Sequence, residues 1–102
     1  MNSNTQNQSE SLKQTIQLKL KEIGERIKIN HHAEFKYDNT ILEMLAQRCM
    51  EIGIYRLDQL IHELVLVNIA KKMIIKENQS EAIKVIAIHA NKHSQQLNCA
   101  IF

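Results

Sequence analysis

Apolar residues recur along this chain with two different periods, and the change of period divides it into elements. Leu12, Ile16, Leu20, Ile23 and Ile27 follow one another at intervals of four, four, three and four, which places all five on one face of a helix. The spacing predicts a helix over residues 11–30, with Ser9 or Ser11 as its N-terminal cap. Residues 1–10, MNSNTQNQSE, are polar and aperiodic and are expected to form a flexible tail ahead of one domain spanning residues 11–102. Gly24 lies inside the helix, where it costs about 1 kcal/mol relative to alanine. Its position there predicts close packing against a neighbouring element.

The helical period breaks at His31, after which Phe35 and Tyr37 alternate with Glu34 and Lys36, the period of two that marks a short strand. Asp38 then offers a capping carboxylate to a second helix running to about Met50, with Ile41, Leu42, Leu45, Ala46 and Cys49 inward. A tight connection around Gly53 leads to a third helix over residues 56–75, with Leu57, Leu60, Ile61, Leu64, Ile69 and Met73 toward the core. Val65, Leu66 and Val67 widen that stripe beyond one packing face, which suits a helix gripped from two sides or one that lends surface to another protein. Residues 76–80 are a polar break. Ile83, Val85, Ile86, Ala87 and Ile88 form a β-branched run, read as a strand. A turn over residues 91–96 returns residues 97–102 antiparallel, and the Phe35 strand can join this hairpin. The predicted fold is α+β, a three-helix layer on a small antiparallel or mixed three-stranded sheet.

Composition narrows the function classes. The chain has 102 residues with no proline, two glycines, 4% aromatic residues and a formal net charge of +2. So small a charge gives no footprint for nucleic acid or an anionic membrane as the main partner. No apolar run reaches the ~18 residues of a membrane span, and the Asn/Gln/Ser-rich start lacks the apolar stretch of a signal peptide; the expected location is the cytoplasm. Cys49 and Cys99 are expected to be reduced, small buried hydrophobes. His31, His32, His62, His89 and His93 do not fall at metal-ligand spacings, so no metal is expected. The two glycines lie far apart and no G-x-x-x-x-G-K-[ST] loop exists, so the chain by itself carries no phosphate cradle and is not expected to be an enzyme.

Three pieces of the chain carry a family resemblance: Ile23-Gly24-Glu25-Arg26-Ile27, then Ala46-Gln47-Arg48-Cys49 with Glu51, and Leu57-Asp58-Gln59-Leu60. From Leu18 onward the sequence resembles the C-terminal small domain, or lid, of AAA+ unfoldases of the Clp/Hsp100 class such as ClpB, and within that class the ClpV branch, the ATPase of type VI secretion. The likeness is weakest over residues 83–102. It implies the same order of elements, helix, strand, two helices and a hairpin. It also implies surfaces that meet an AAA+ large domain or a neighbouring protomer of a ring.

In the family, the lid contributes a sensor-2 arginine from a Gly-Ala-Arg motif. Here the loop reads Glu51-Ile52-Gly53-Ile54-Tyr55-Arg56-Leu57-Asp58, about two residues shorter. Alignment on Gly53 puts Tyr55 at the arginine position; alignment on the basic residue keeps Arg56 but replaces the preceding Gly-Ala by Ile54-Tyr55. Either way the nucleotide contact is damaged. The resemblance implies a non-enzymatic interaction module whose partner is an AAA+ protomer or a secretion component, with a homo-oligomer as a further option. Ile54, Tyr55, Val65, Leu66 and Val67 are its candidate interface. ATP would enter only with a separate AAA+ large domain, in which case the chain is a split subunit supplying Arg56. A structural adaptor of a secretion cluster, with no ATPase partner, is the third reading.

Overall fold

The computed structural model describes residues 3–91 and 96–102. Met1 and Asn2 of the expected tail, and residues 92–95 of the expected turn, His93 among them, lie outside this range. In chain order the elements are α1 (Ser3–His31), β1 (Glu34–Tyr37), α2 (Asn39–Ile52), a 3-10 turn (Ile54–Arg56), α3 (Leu57–Ile61), a π-helical stretch (His62–Leu66), α4 (Val67–Asn78), β2 (Val85–Ala90) and β3 (Leu97–Ile101). The segments from α3 to α4 form one unbroken rod over residues 57–78. The described residues thus make three helices and a small mixed three-stranded sheet, an α+β fold.

Every residue of the first predicted stripe, Leu12, Ile16, Leu20, Ile23 and Ile27, is buried. The helix itself begins at Ser3 rather than Ser11. Once the packed part of a helix exists, each added residue costs no new nucleus and gains one backbone hydrogen bond, so a polar extension can propagate outward. At the other end His32 takes the left-handed conformation (φ 55°), and its N–H donates to the Lys28 carbonyl at 3.0 Å. That is the single-bond left-handed cap which ends a helix.

Asp38 caps α2 as expected, its carboxylate accepting from the Thr40 N–H at 3.1 Å and from the Thr40 hydroxyl. The Thr40 oxygen in turn accepts from the Ala90 N–H at 3.0 Å, tying the start of α2 to the end of β2. Ile41, Leu42, Leu45, Ala46 and Cys49 are all buried, joined by Met44. The rod ends three residues later than predicted, at Asn78. Ser80 (φ 59°) closes it in a Schellman pair, Glu81 N–H to the Lys76 carbonyl at 3.1 Å and Ser80 N–H to that of Glu77 at 3.0 Å.

The strand order is β1-β2-β3, with β1 parallel and β3 antiparallel to the central β2. A parallel neighbour needs a long crossover, supplied here by α2 and the rod. Phe35, Tyr37, Ile86, Ile88 and Ile101 share the sheet face turned to the helices, while Glu34, Lys36 and His89 are exposed on the other. One layer of helices therefore covers one face of the sheet.

Gly24 marks the predicted close approach. A Cβ built there would stand 3.4 Å from both Cβ and Cδ2 of Phe35, at the near edge of ordinary van der Waals contact. Gly24→Ala is expected to stabilise the fold, since about 1 kcal/mol of helix propensity is regained against contact with a half-buried ring that has room to yield. Urea denaturation checks it: a midpoint higher than wild type is expected, and a lower one would mean that α1 has no room to host a methyl against β1.

Candidate interaction site

The connection between α2 and the rod is built by Gly53. Its φ of 109° lies where L side chains are strained, its N–H donates to the Cys49 carbonyl at 2.8 Å, and its carbonyl accepts from the Arg56 N–H at 3.1 Å. The turn so formed turns its apolar side chains outward. Ile54 is 61% and Tyr55 104% exposed, and Arg56 is exposed beside them. Met50 and Ile52, at the end of α2, are also exposed. Four large apolar side chains are thus exposed within the six residues 50–55, a concentration that marks a candidate contact surface.

Of the five residues predicted for an interface, the structure brings only Ile54 and Tyr55 together. Val65 is fully buried and belongs to the core, which corrects its place among the surface candidates. The cause is the π turn at His62–Leu66, whose extra residue rotates the following rod so that Val65, not Leu64, continues the inner stripe. Leu66 and Val67 are half-buried. At 1.5 Å per residue they lie about 15 Å along the rod from Arg56, so they do not extend the apolar patch at the turn. Leu66 instead lines a small cleft of about 180 Å³ between α1 and the rod, shared with Lys19, Arg26 and Asp58.

Met50 and Ile52 were not foreseen in the candidate site. The signal was present in the sequence: both are large and apolar, and Met50 falls outside the inner stripe that ends at Cys49. The pair Tyr55 and Arg56, offered for the sensor-2 position, stands at the start of the rod. Next to it the Lys19 ammonium and the Asp58 carboxylate pair at 2.6 Å, which ties α1 to the rod and contributes at most about 1 kcal/mol at such exposure. In the second motif of the resemblance, Ala46 and Cys49 are core, Gln47 is exposed and Arg48 half-buried.

Both cysteines are free thiols. Burial pushes the Cys49 thiol above its ordinary range, and the Cys49 Sγ lies 3.7 Å from the Gly53 carbonyl oxygen. Burial raises the Cys99 thiol too, with the Lys72 ammonium pulling it partly back; a thiol held protonated is a poor nucleophile and metal ligand. Among the described residues no three His, Cys, Asp or Glu side chains converge on one point, and no helix is long and apolar enough to cross a membrane. The chain matches no family model and no curated protein.

Proposed function

We propose that this chain is a non-enzymatic protein-interaction module of the lid type, docking on an AAA+ unfoldase protomer of the ClpV kind or on a component of the same assembly. The observation that carries the reading is the exposure of four apolar side chains where two helices meet, Met50 and Ile52 at the end of α2 and Ile54 and Tyr55 in the turn after Gly53. A fully exposed tyrosine supplies a rigid, amphipathic anchor, the kind of residue that dominates interface energetics. The order helix, strand, helix, helical rod and hairpin supports the resemblance, and the absence of a phosphate-cradling loop from the sequence supports a binding role over a hydrolytic one. The exposed Arg56 favours a second reading, in which the chain completes a nucleotide site on a separate large domain.

A ClpV-type ATPase lacking its own small domain is the partner to use. The chain is expected to bind it, and Tyr55→Ser to weaken binding about tenfold or more, as interface hot spots do, while the melting temperature stays near wild type. Absence of binding overturns the reading. ATP turnover stimulated by the chain and lost with Arg56→Ala would put the split-subunit reading in its place.

A further inference from the structure

The β1 edge of the sheet carries an inference that is independent of the lid reading. The order β1-β2-β3 makes β1 an edge. The Glu34 N–H donates to the Lys84 carbonyl at 2.9 Å, so residues 34 and 36 turn their backbone groups toward β2. By the alternation of a parallel ladder, Phe35 and Tyr37 turn theirs outward. On the helix-covered face, the strand is flanked by an open groove of about 900 Å³ between α1 and β1, lined by Leu18, Lys21, Gly24, Lys28, Phe35 and Tyr37. Leu18 is 63% exposed, and both rings are only half-buried.

We propose that β1 is the seam of a two-fold homodimer, pairing antiparallel with β1 of a second copy so that the two sheets become one. The sequence of the strand fits itself in one register. With Phe35 opposite Phe35 of the second copy, the outward N–H and C=O of each phenylalanine bond to the other. Glu34 then stands opposite Lys36 twice over, and Ala33 opposite Tyr37. Moving the dyad by one residue to either side keeps outward backbone groups opposite one another but places Glu34 against Glu34 or Lys36 against Lys36, so charge selects the register. Within one chain, the Lys36 ammonium and the Glu34 carboxylate are 3.8 Å apart and about two-thirds exposed, at 65% and 69%. So loose a pair gives up little by exchanging partners across the dyad. The same two charges discourage pairing with unrelated edges, since a strand of another sequence leaves them unmatched.

Four paired residues bury too little surface for a stable dimer, which needs on the order of 1,200 Å². The groove supplies the remainder: α1 of the second copy, on the same side of the joined sheet, covers Leu18, Phe35 and Tyr37.

The test is solution mass by light scattering over a concentration series, with circular dichroism to confirm the fold of each variant. Wild type is expected to rise with concentration toward twice the 11.9 kDa chain mass. Glu34→Lys or Lys36→Glu alone sets like charges opposite one another at two symmetry-related places, and is expected to raise the dimer dissociation constant roughly tenfold. The double charge exchange, Glu34→Lys with Lys36→Glu, restores both attractive pairs and is expected to recover the dimer. A monomeric wild type at millimolar concentration overturns the proposal. A dimer indifferent to both single variants, or one that the double variant fails to recover, does so as well.

Discussion

Val65→Glu is expected to leave the chain unfolded. Val65 sits at 0% exposure on the rod, within the cluster formed by α1, α2 and the sheet. Among the described residues none of the buried ones is polar or charged, so a carboxylate placed there is stripped of water without compensation or must take up a proton. Either outcome costs several kcal/mol, of the order of 3–5, and the shape of the packed site is lost besides. A domain of this size has only about 5–15 kcal/mol in total. The control is Val67→Glu, two residues along the same rod but half-buried, where the new side chain can reach solvent and the loss is expected to be about 1 kcal/mol or less. Thermal melts followed by circular dichroism separate the two. A cooperative transition for Val65→Glu within a few degrees of wild type would contradict the placement of Val65 in the core.

Deleting one residue from the rod is expected to have opposite outcomes at two sites. Leu57, Ile61, Val65, Ile69 and Met73, all buried, recur every four residues. At about 100° per residue, each such step drifts about 40° round an ideal α-helix, so the stripe would wander about 160° over its length. The wider turn at His62–Leu66 absorbs one residue and brings Ile69 and Met73 back to the core. Removing the exposed Glu63 should convert that turn to ordinary α-helix, with buried positions spaced four, three, four and four, and cost little beyond the Gln59–Glu63 hydrogen bond. Removing the exposed Ala70 turns Met73 about 100° out of its site and is expected to cost several kcal/mol, as large core disruptions do. Urea denaturation of the two deletions provides the comparison. Equal losses would mean that the π turn does not set the phase of the rod.

The same four-residue spacing explains where the sequence could be read and where it misled. Stripes that keep near 3.6, such as Leu12 to Ile27 and Ile41 to Cys49, give their buried faces directly, because the backbone needs no adjustment to bring them to one side. In the rod, Leu64 fits an ideal helix better than Val65 does, so expecting regular geometry sends Val65 to the surface. Its four-residue step from Ile61 and to Ile69 was the available sign. The alternation Glu34, Phe35, Lys36, Tyr37 revealed a strand and the side it buries. Nothing local marks it as the parallel neighbour of β2, since that pairing depends on contacts some fifty residues away. The start of α1 was missed for a related reason: a propagating helix does not need an apolar signal of its own. At the candidate site, Gly53 and the apolar Ile54-Tyr55 pair were legible as a turn with an exposed tip. The separation of that tip from Leu66 and Val67 follows from rod geometry, which the list of apolar residues does not contain.

The central place of β2 has a consequence for how the fold is reached. Both of the other strands hydrogen-bond to Val85–Ala90, and β1 has no strand partner among the described residues until that segment arrives from the far side of the crossover. Closing so long a loop is an entropic cost that must be met before the ladder repays it. Helical pieces can therefore assemble early, but the sheet is acquired in one late step, and amide exchange at Glu34 and Lys36, the β1 residues turned toward β2, should report the opening of the whole molecule rather than fraying of an edge.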